Sequence, residues 1–185
     1  MVEEQFGKYM IIGEVGLNHL GKEDYANDYL NFHLNNSFEC LSFQIRENEF
    51  YQREEKKHLR LNELFYEKTV DQYCNVAHKK IGLSVSSLDS IKNIINLKFD
   101  FFKILSIAAK DTNLIDTLLK KTDAHIYISI GSLNLEEINK IIEMYIDNDR
   151  IKFNYTQLSY NSENINFLNL LDFTSKYENK FSYGH

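Results

Sequence analysis

The sequence contains no proline. The usual punctuation of helices and loops is therefore missing, and element ends must be read from caps, glycines and changes of periodicity. There are only two cysteines, Cys40 and Cys74, in unrelated segments and without a CxxC spacing. That excludes a disulfide scaffold and fits the reduced thiols of a cytoplasm. Basic residues are in deficit, 21 against 27 acidic ones, for a formal charge of −6. A surface that tracks phosphates along a nucleic acid needs the opposite balance, so a nucleic-acid partner is not expected. No apolar run approaches the length of a membrane span, and the opening "MVEEQFGKYM" is too acidic for a secretory signal. No linker or low-complexity stretch divides the 185 residues, which suffice for one domain with a sizeable core.

What is present is an alternation. Short runs rich in Ile, Val, Phe and Tyr predict strands at 10–15, 40–45, 81–85, 101–105, 125–130, 151–156 and 181–183. Amphipathic stretches predict helices near 22–35, 60–79, 87–97, 111–121, 134–147 and 163–177. In the fifth of these Leu135, Ile138, Ile141, Ile142 and Tyr145 recur at helical spacing behind Asn134 as a cap. Repeated strand–helix units with nearly continuous apolar strands predict an α/β fold with a parallel sheet. A closed barrel and an open doubly wound sheet both satisfy the pattern, and in both the site forms at the carboxyl ends of the strands.

Those ends carry the candidate residues. The first strand breaks off in "EVGLNHLG", bringing Glu14, Asn18 and His19 to the ligand-binding side. Strand 2 ends in Gln44 and Arg46, and strand 3 in "SVSS", which includes Ser84. Lys103 stands among Phe101, Phe102, Ile104 and Leu105, with Ser106 just beyond. A lysine in that setting either snorkels or meets an anion, because burying it unpaired is costly. Strand 5 carries Ser129 and runs into Gly131 and Ser132, and strand 6 offers Asn154 and Thr156.

These motifs, in this order, resemble the N-acetylneuraminate (sialic acid) synthase family. "EVGLNHLG", "LSFQ", "LSVSS", "FKILSIA", "YISIGSLNLEEI", "FNYTQ" and "FSYGH" stand where that family reads close to EIGINHNG, VKFQ, LSTPF, FKIASGE, ILSTGM…LEEI, LHCTS and GYSGH. The resemblance implies a (β/α)8 barrel. It implies condensation of phosphoenolpyruvate with an N-acyl hexose, with a divalent metal, usually manganese, polarising the sugar aldehyde. It makes Glu14 the strand-1 acid, sets Lys103, Ser106, Ser129 and Gly131 beside the phosphate, and makes His185 a metal-binding histidine. Asn18, Gln44 and Ser84 fall at substrate-contacting positions.

Several positions depart from the family's pattern. The strand-2 lysine is Ser42, the threonine of LSTPF is Val85, and the glycine and glutamate of SGE are Ile107 and Ala108. The threonine of STG is Ile130, and the strand-6 metal histidine is Asn154. These losses set a catalytically inactive remnant or binding subunit beside the active synthase as an alternative. The sequence ends at His185, where strand 7 closes, so an incomplete barrel of about seven strands in one domain, 1–185, is expected. The family's C-terminal domain, which resembles type III antifreeze protein, is expected to be absent. Open strand edges predict a homo-oligomer or a complementary chain.

Overall fold

The structure is a computed structural model that describes residues 10–73, 76, 78–156, 167–177 and 180–184. Seven strands alternate with helices in chain order: β1 (Ile12–Gly16), α1 (Glu23–Leu34), β2 (Cys40–Ile45), α2 (Asn48–Tyr51), α3 (Glu63–Tyr73), β3 (Lys80–Val85), β4 (Phe101–Ile104), α4 (Thr112–Lys121), β5 (His125–Ser129), α5 (Leu135–Tyr145), β6 (Ile151–Thr156), α6 (Phe167–Lys176) and β7 (Phe181–Gly184). The sheet order is β1-β2-β3-β4-β5-β6-β7. This is the parallel βα succession of a (β/α)8 barrel, with seven strands among the described residues.

The chain divides into two compact units, Met1–Phe101 and Phe102–His185. In the first, β1 pairs with β2 and β2 with β3, both in parallel. Registers Glu14↔Ser42, Ser42↔Gly82 and Gln44↔Ser84 put these polar or small residues on one face. The alternate residues, among them Leu41, Phe43, Ile45, Ile81, Leu83 and Val85, are buried. Phe43 meets the edge of the Phe65 ring of α3, with centroids 5.3 Å apart. Each such side chain contributes about 1.5–3 kcal/mol by leaving water. Gly82 leaves room on the polar face, because a Cβ there would lie 2.2 Å from the Phe101 ring.

In the second unit β5, β6 and β7 pair in parallel. Ile126, Ile128, Ile130, Ile151 and Phe153 are buried on one side, together with Leu114, Ile115 and Leu118 of α4 and Ile138, Ile141 and Ile142 of α5. The capping role of Asn134 is borne out. Its side chain accepts from Glu137 N at 3.0 Å, and the Glu137 carboxylate accepts from Asn134 N at 3.0 Å, a complete capping box.

One device recurs at the amino-terminal side of the strands. A cation just ahead of a strand donates to the carbonyls that close an earlier helix. Lys79 serves His33, Asn36 and Phe38 after α1, Arg150 serves Leu119 and Thr122 after α4, and Lys180 serves Asn148 after α5. These carbonyls have no intrahelical donor. Arg150→Ala is therefore expected to destabilise the fold by about 1–3 kcal/mol, with Arg150→Lys recovering part of it, in urea unfolding.

Two sequence expectations need correction. The helix expected over 87–97 is a 3-10 turn, Asp89–Ile91, followed by further turns. Bonds from Ile91 N to Leu88 O, Ile94 N to Ile91 O and Leu97 N to Ile94 O repeat every three residues. Ile91, Ile94 and Ile95 are buried all the same, so tight turns satisfy an apolar spacing that an α-helix shares. The helix expected over 60–79 is α3 alone, because the Asn62 side chain accepts from Phe65 N at 2.9 Å and starts it there. The amino-terminal part of the helix expected over 163–177, Cys74 and the segment 1–9 lie outside the described residues.

Candidate functional site

On β1 the Glu14 carboxylate is held by three donors. Oε2 accepts from Ser42 Oγ and from Ser84 Oγ, both at 2.8 Å, and Oε1 accepts from Gly16 N at 3.2 Å. Both serines are fully buried, whereas Glu14 is exposed. Two hydroxyls fixed in the sheet thus orient an accessible acid, which suits it to accept or deliver a proton at one position. Ser42, which replaces the lysine of the family's pattern, is one of the two. The sequence marks Ser42 only as the loss of a cation; its place opposite Glu14 is set by the register of β1 and β2.

The turn after β1 is locked by His19. Its Nδ1 accepts from Gly21 N at 2.9 Å, so its proton sits on Nε2, which is buried without a partner among the described residues. Asn18, next to it, is exposed, and Gln44 is half-buried on the Glu14 face. Burial lowers the His19 pKa to about 4. A base whose folded pKa lies below the unfolded value, near 6.5, contributes its stability in full above pH 6.5. That stability is lost as the pH falls through 6.5 towards 4. The expected loss over this window is about 3 kcal/mol, in addition to a like-signed effect of the buried His33. Urea unfolding of wild type and His19→Gln at pH 7 and pH 4.5 checks it: the variant has the shallower dependence.

Beyond β2, Glu47 accepts from Arg46 at 3.0 Å and from Ser86 Oγ at 2.7 Å. Burial alone would raise its carboxyl, but these bonds outweigh burial and hold it at about 2. Arg46 also stands 4.7 Å over the Phe50 ring. Arg46 is thus occupied in fixing its own loop.

In the second unit Lys103 is half-buried on β4 between the fully buried Phe102 and Ile104. Ser106 Oγ lies 3.4 Å from Thr156 Oγ1, and Ser132 Oγ donates to Ser106 O at 2.7 Å. Gly131 closes this group from β5: a Cβ there would lie 2.1 Å from Thr156 O and 2.3 Å from Thr156 Oγ1. One step along, Ser129, Asn154 and Ser182 form a row across β5, β6 and β7 by register. Ser182 Oγ donates to Asn154 Oδ1 at 3.1 Å. Ser129 Oγ is buried and has no partner among the described residues, which leaves one hydroxyl available to a ligand. Ile107, which stands where the family's pattern has glycine, is 62% exposed.

The metal that the resemblance implies does not fit what is described here. Asn154 and Ser182 offer a neutral amide and a hydroxyl, and the amide oxygen already accepts a hydrogen bond. Manganese favours carboxylate, imidazole and water. Among the described residues no group of three His, Cys, Asp or Glu side chains could hold a metal ion. His185 lies outside the described residues. Among the described residues no helix is long and apolar enough to cross a membrane.

Comparison with known proteins adds a family and a fold. The model of the NeuB family matches residues 31–183. An N-acetylneuraminic acid (sialic acid) synthetase from Leptospira borgpetersenii, solved with citrate, superposes with a TM-score of 0.80 at 17% identity. The match covers 95% of this chain and 64% of that one. A protein described as spore coat polysaccharide biosynthesis protein E, from Chromobacterium violaceum, gives a TM-score of 0.76 at 16% identity. There 93% of this chain and 57% of that one are covered. At these identities the likeness is one of fold. No curated protein matches the chain.

Proposed function

The chain belongs to the NeuB family, and on that premise we propose that it is a cytoplasmic synthase-type protein of nonulosonic (sialic-type) acid biosynthesis that condenses phosphoenolpyruvate with an N-acyl hexose. In that reaction the enol carbon forms a bond to the sugar aldehyde carbon, water adds to the resulting cation, and the carbon–oxygen bond to phosphate breaks. The observation that carries the reading is the buried Ser129 hydroxyl, which has no partner among the described residues, two positions before the close approach of Gly131 to Thr156. It supplies a neutral donor, and Lys103 a charge, for the phosphate. Within the first unit, Glu14, oriented by Ser42 and Ser84, is the group suited to proton handling. No step is assigned to manganese, because the donors at Asn154 do not fit it.

A second reading, a binding subunit that holds the anion or sugar without condensing them, is favoured by Ser42 in place of a cation and Asn154 in place of an imidazole. One assay separates the two. Phosphoenolpyruvate, manganese and a panel of N-acyl hexoses are incubated with the chain, and phosphate and keto-acid product are followed. Phosphate released in step with product supports the synthase. Binding of phosphoenolpyruvate without release supports the subunit.

The metal gives a sharper expectation. Isothermal titration with manganese should show no micromolar site, and micromolar binding abolished by His185→Ala would overturn it. Association is expected as well. Beside β1 runs a groove of about 570 Å³ lined by Tyr25, Tyr29, Phe32 and Phe38, and Phe32 is 60% exposed. Sedimentation should show a species larger than the monomer, and Phe32→Glu should shift it toward the monomer.

A further inference from the structure

We propose that Lys152 supplies a second positive charge, beside that of Lys103, to an anion site of the second unit. The inference rests on the reading of Lys103 and Ser129 as parts of a phosphate site and extends it to a residue outside that pattern.

Lys152 is the second residue of β6, where its register partner is Tyr127 of β5. Alternation along the strand sets it on the face of Asn154 and Thr156, opposite the buried Ile151 and Phe153. It is half-buried, and its neighbour Tyr127 is 6% exposed. Among the described residues Lys152 makes no ion pair and no hydrogen bond. That sets it apart from the nearby cations Arg150 and Lys180, which are both satisfied by helix-closing carbonyls. A half-withdrawn ammonium without a partner is costly until an anion meets it.

The partner's place is marked by a second observation. One layer further along the same face, Ser129 of β5 holds its unpartnered hydroxyl, buried at 2% exposure. Two residues of strand advance about 6.6 Å, close to the length of a lysine stem, so an ammonium leaning along the strand reaches the level of Ser129. An anion with several oxygens accepts from both. Phosphoenolpyruvate carries two such groups, phosphate and carboxylate, and so calls for two cations. Lys103 and Lys152, on different strands of one unit, provide them.

The test is titration calorimetry on the full chain, with phosphoenolpyruvate and inorganic phosphate as probes. Wild type, Lys152→Met, Lys152→Gln, Lys152→Arg and Lys103→Met are compared, with thermal unfolding measured without ligand. Lys152→Met and Lys152→Gln should each weaken phosphoenolpyruvate binding about tenfold or more, the loss of a charge-assisted hydrogen bond. Lys152→Arg should stay within about threefold of wild type, because the charge is kept. Unliganded melting should be unchanged or higher in the Met variant. If both neutral variants bind as wild type does while Lys103→Met loses binding, Lys152 is a solvated surface group and this inference falls alone. If wild type binds neither probe, the phosphate reading itself falls and takes this inference with it.

Discussion

The Lys103→Met variant is expected to lose about a hundredfold in affinity for phosphoenolpyruvate while melting at nearly the wild-type temperature. Methionine keeps most of the volume of the lysine stem, so the packing around position 103 survives. What is lost is the ammonium. Removing one partner of a desolvated charge pair costs roughly 3–5 kcal/mol, and each 1.4 kcal/mol is tenfold in affinity. The side chain is half-buried, so the lower end of that range applies. Calorimetric titration measures the affinity and circular dichroism the melting. Undiminished binding would remove Lys103 from the site and leave Ser106, Ser129 and Gly131 as an uncharged pocket.

Gly21→Ala is expected to lower the stability of the protein by more than about 4 kcal/mol, a large drop in urea midpoint. Gly21 has φ +71°, in the left-handed region, and a Cβ there would lie 1.7 Å from the carbonyl oxygen of His58. The conformation alone costs an alanine about 1 kcal/mol. The overlap is with backbone, which no rotamer change relieves, so the turn after β1 or the chain near His58 has to move. That movement would also break the Gly21 N–His19 Nδ1 bond and expose a fully buried imidazole. A total above about 4 kcal/mol is expected against a typical stability of 5–15 kcal/mol. Gly16→Ala is the control. Its φ is +58°, but the nearest atom to a Cβ is Gln44 Oε1 at 3.7 Å, so only the conformational cost of about 1 kcal/mol remains. Equal urea midpoints for the two variants would show that contact with His58 is not what requires glycine at 21.

The sequence by itself determined the order of elements and the parallel class. The strands at 40–45 and 151–156 match β2 and β6 residue for residue, because each is a short apolar run bounded by polar or turn residues. The cap at Asn134 was legible because a capping box is local, set by residues three apart. Motif order also separated the barrel from the open sheet, which periodicity alone left undecided.

Tertiary structure decided what local pattern cannot encode. The turns after Ser87 close on a three-residue repeat while burying Ile91, Ile94 and Ile95, a spacing that an α-helix shares, so the apolar pattern alone does not separate the two. The part played by Ser42 depends on a partner 28 positions away, Glu14, which reaches it only through the parallel register of β1 and β2. The same holds for Asn154, whose amide oxygen is taken up by Ser182 from the next strand. Lys152 went unnoticed because a lysine inside "IKFNYT" reads as an edge residue. Only the pairing of β5 with β6 sets it on the face of Ser129. A residue's chemistry is written in its side chain, but its partner is chosen by strand register, a long-range property that a single sequence does not display.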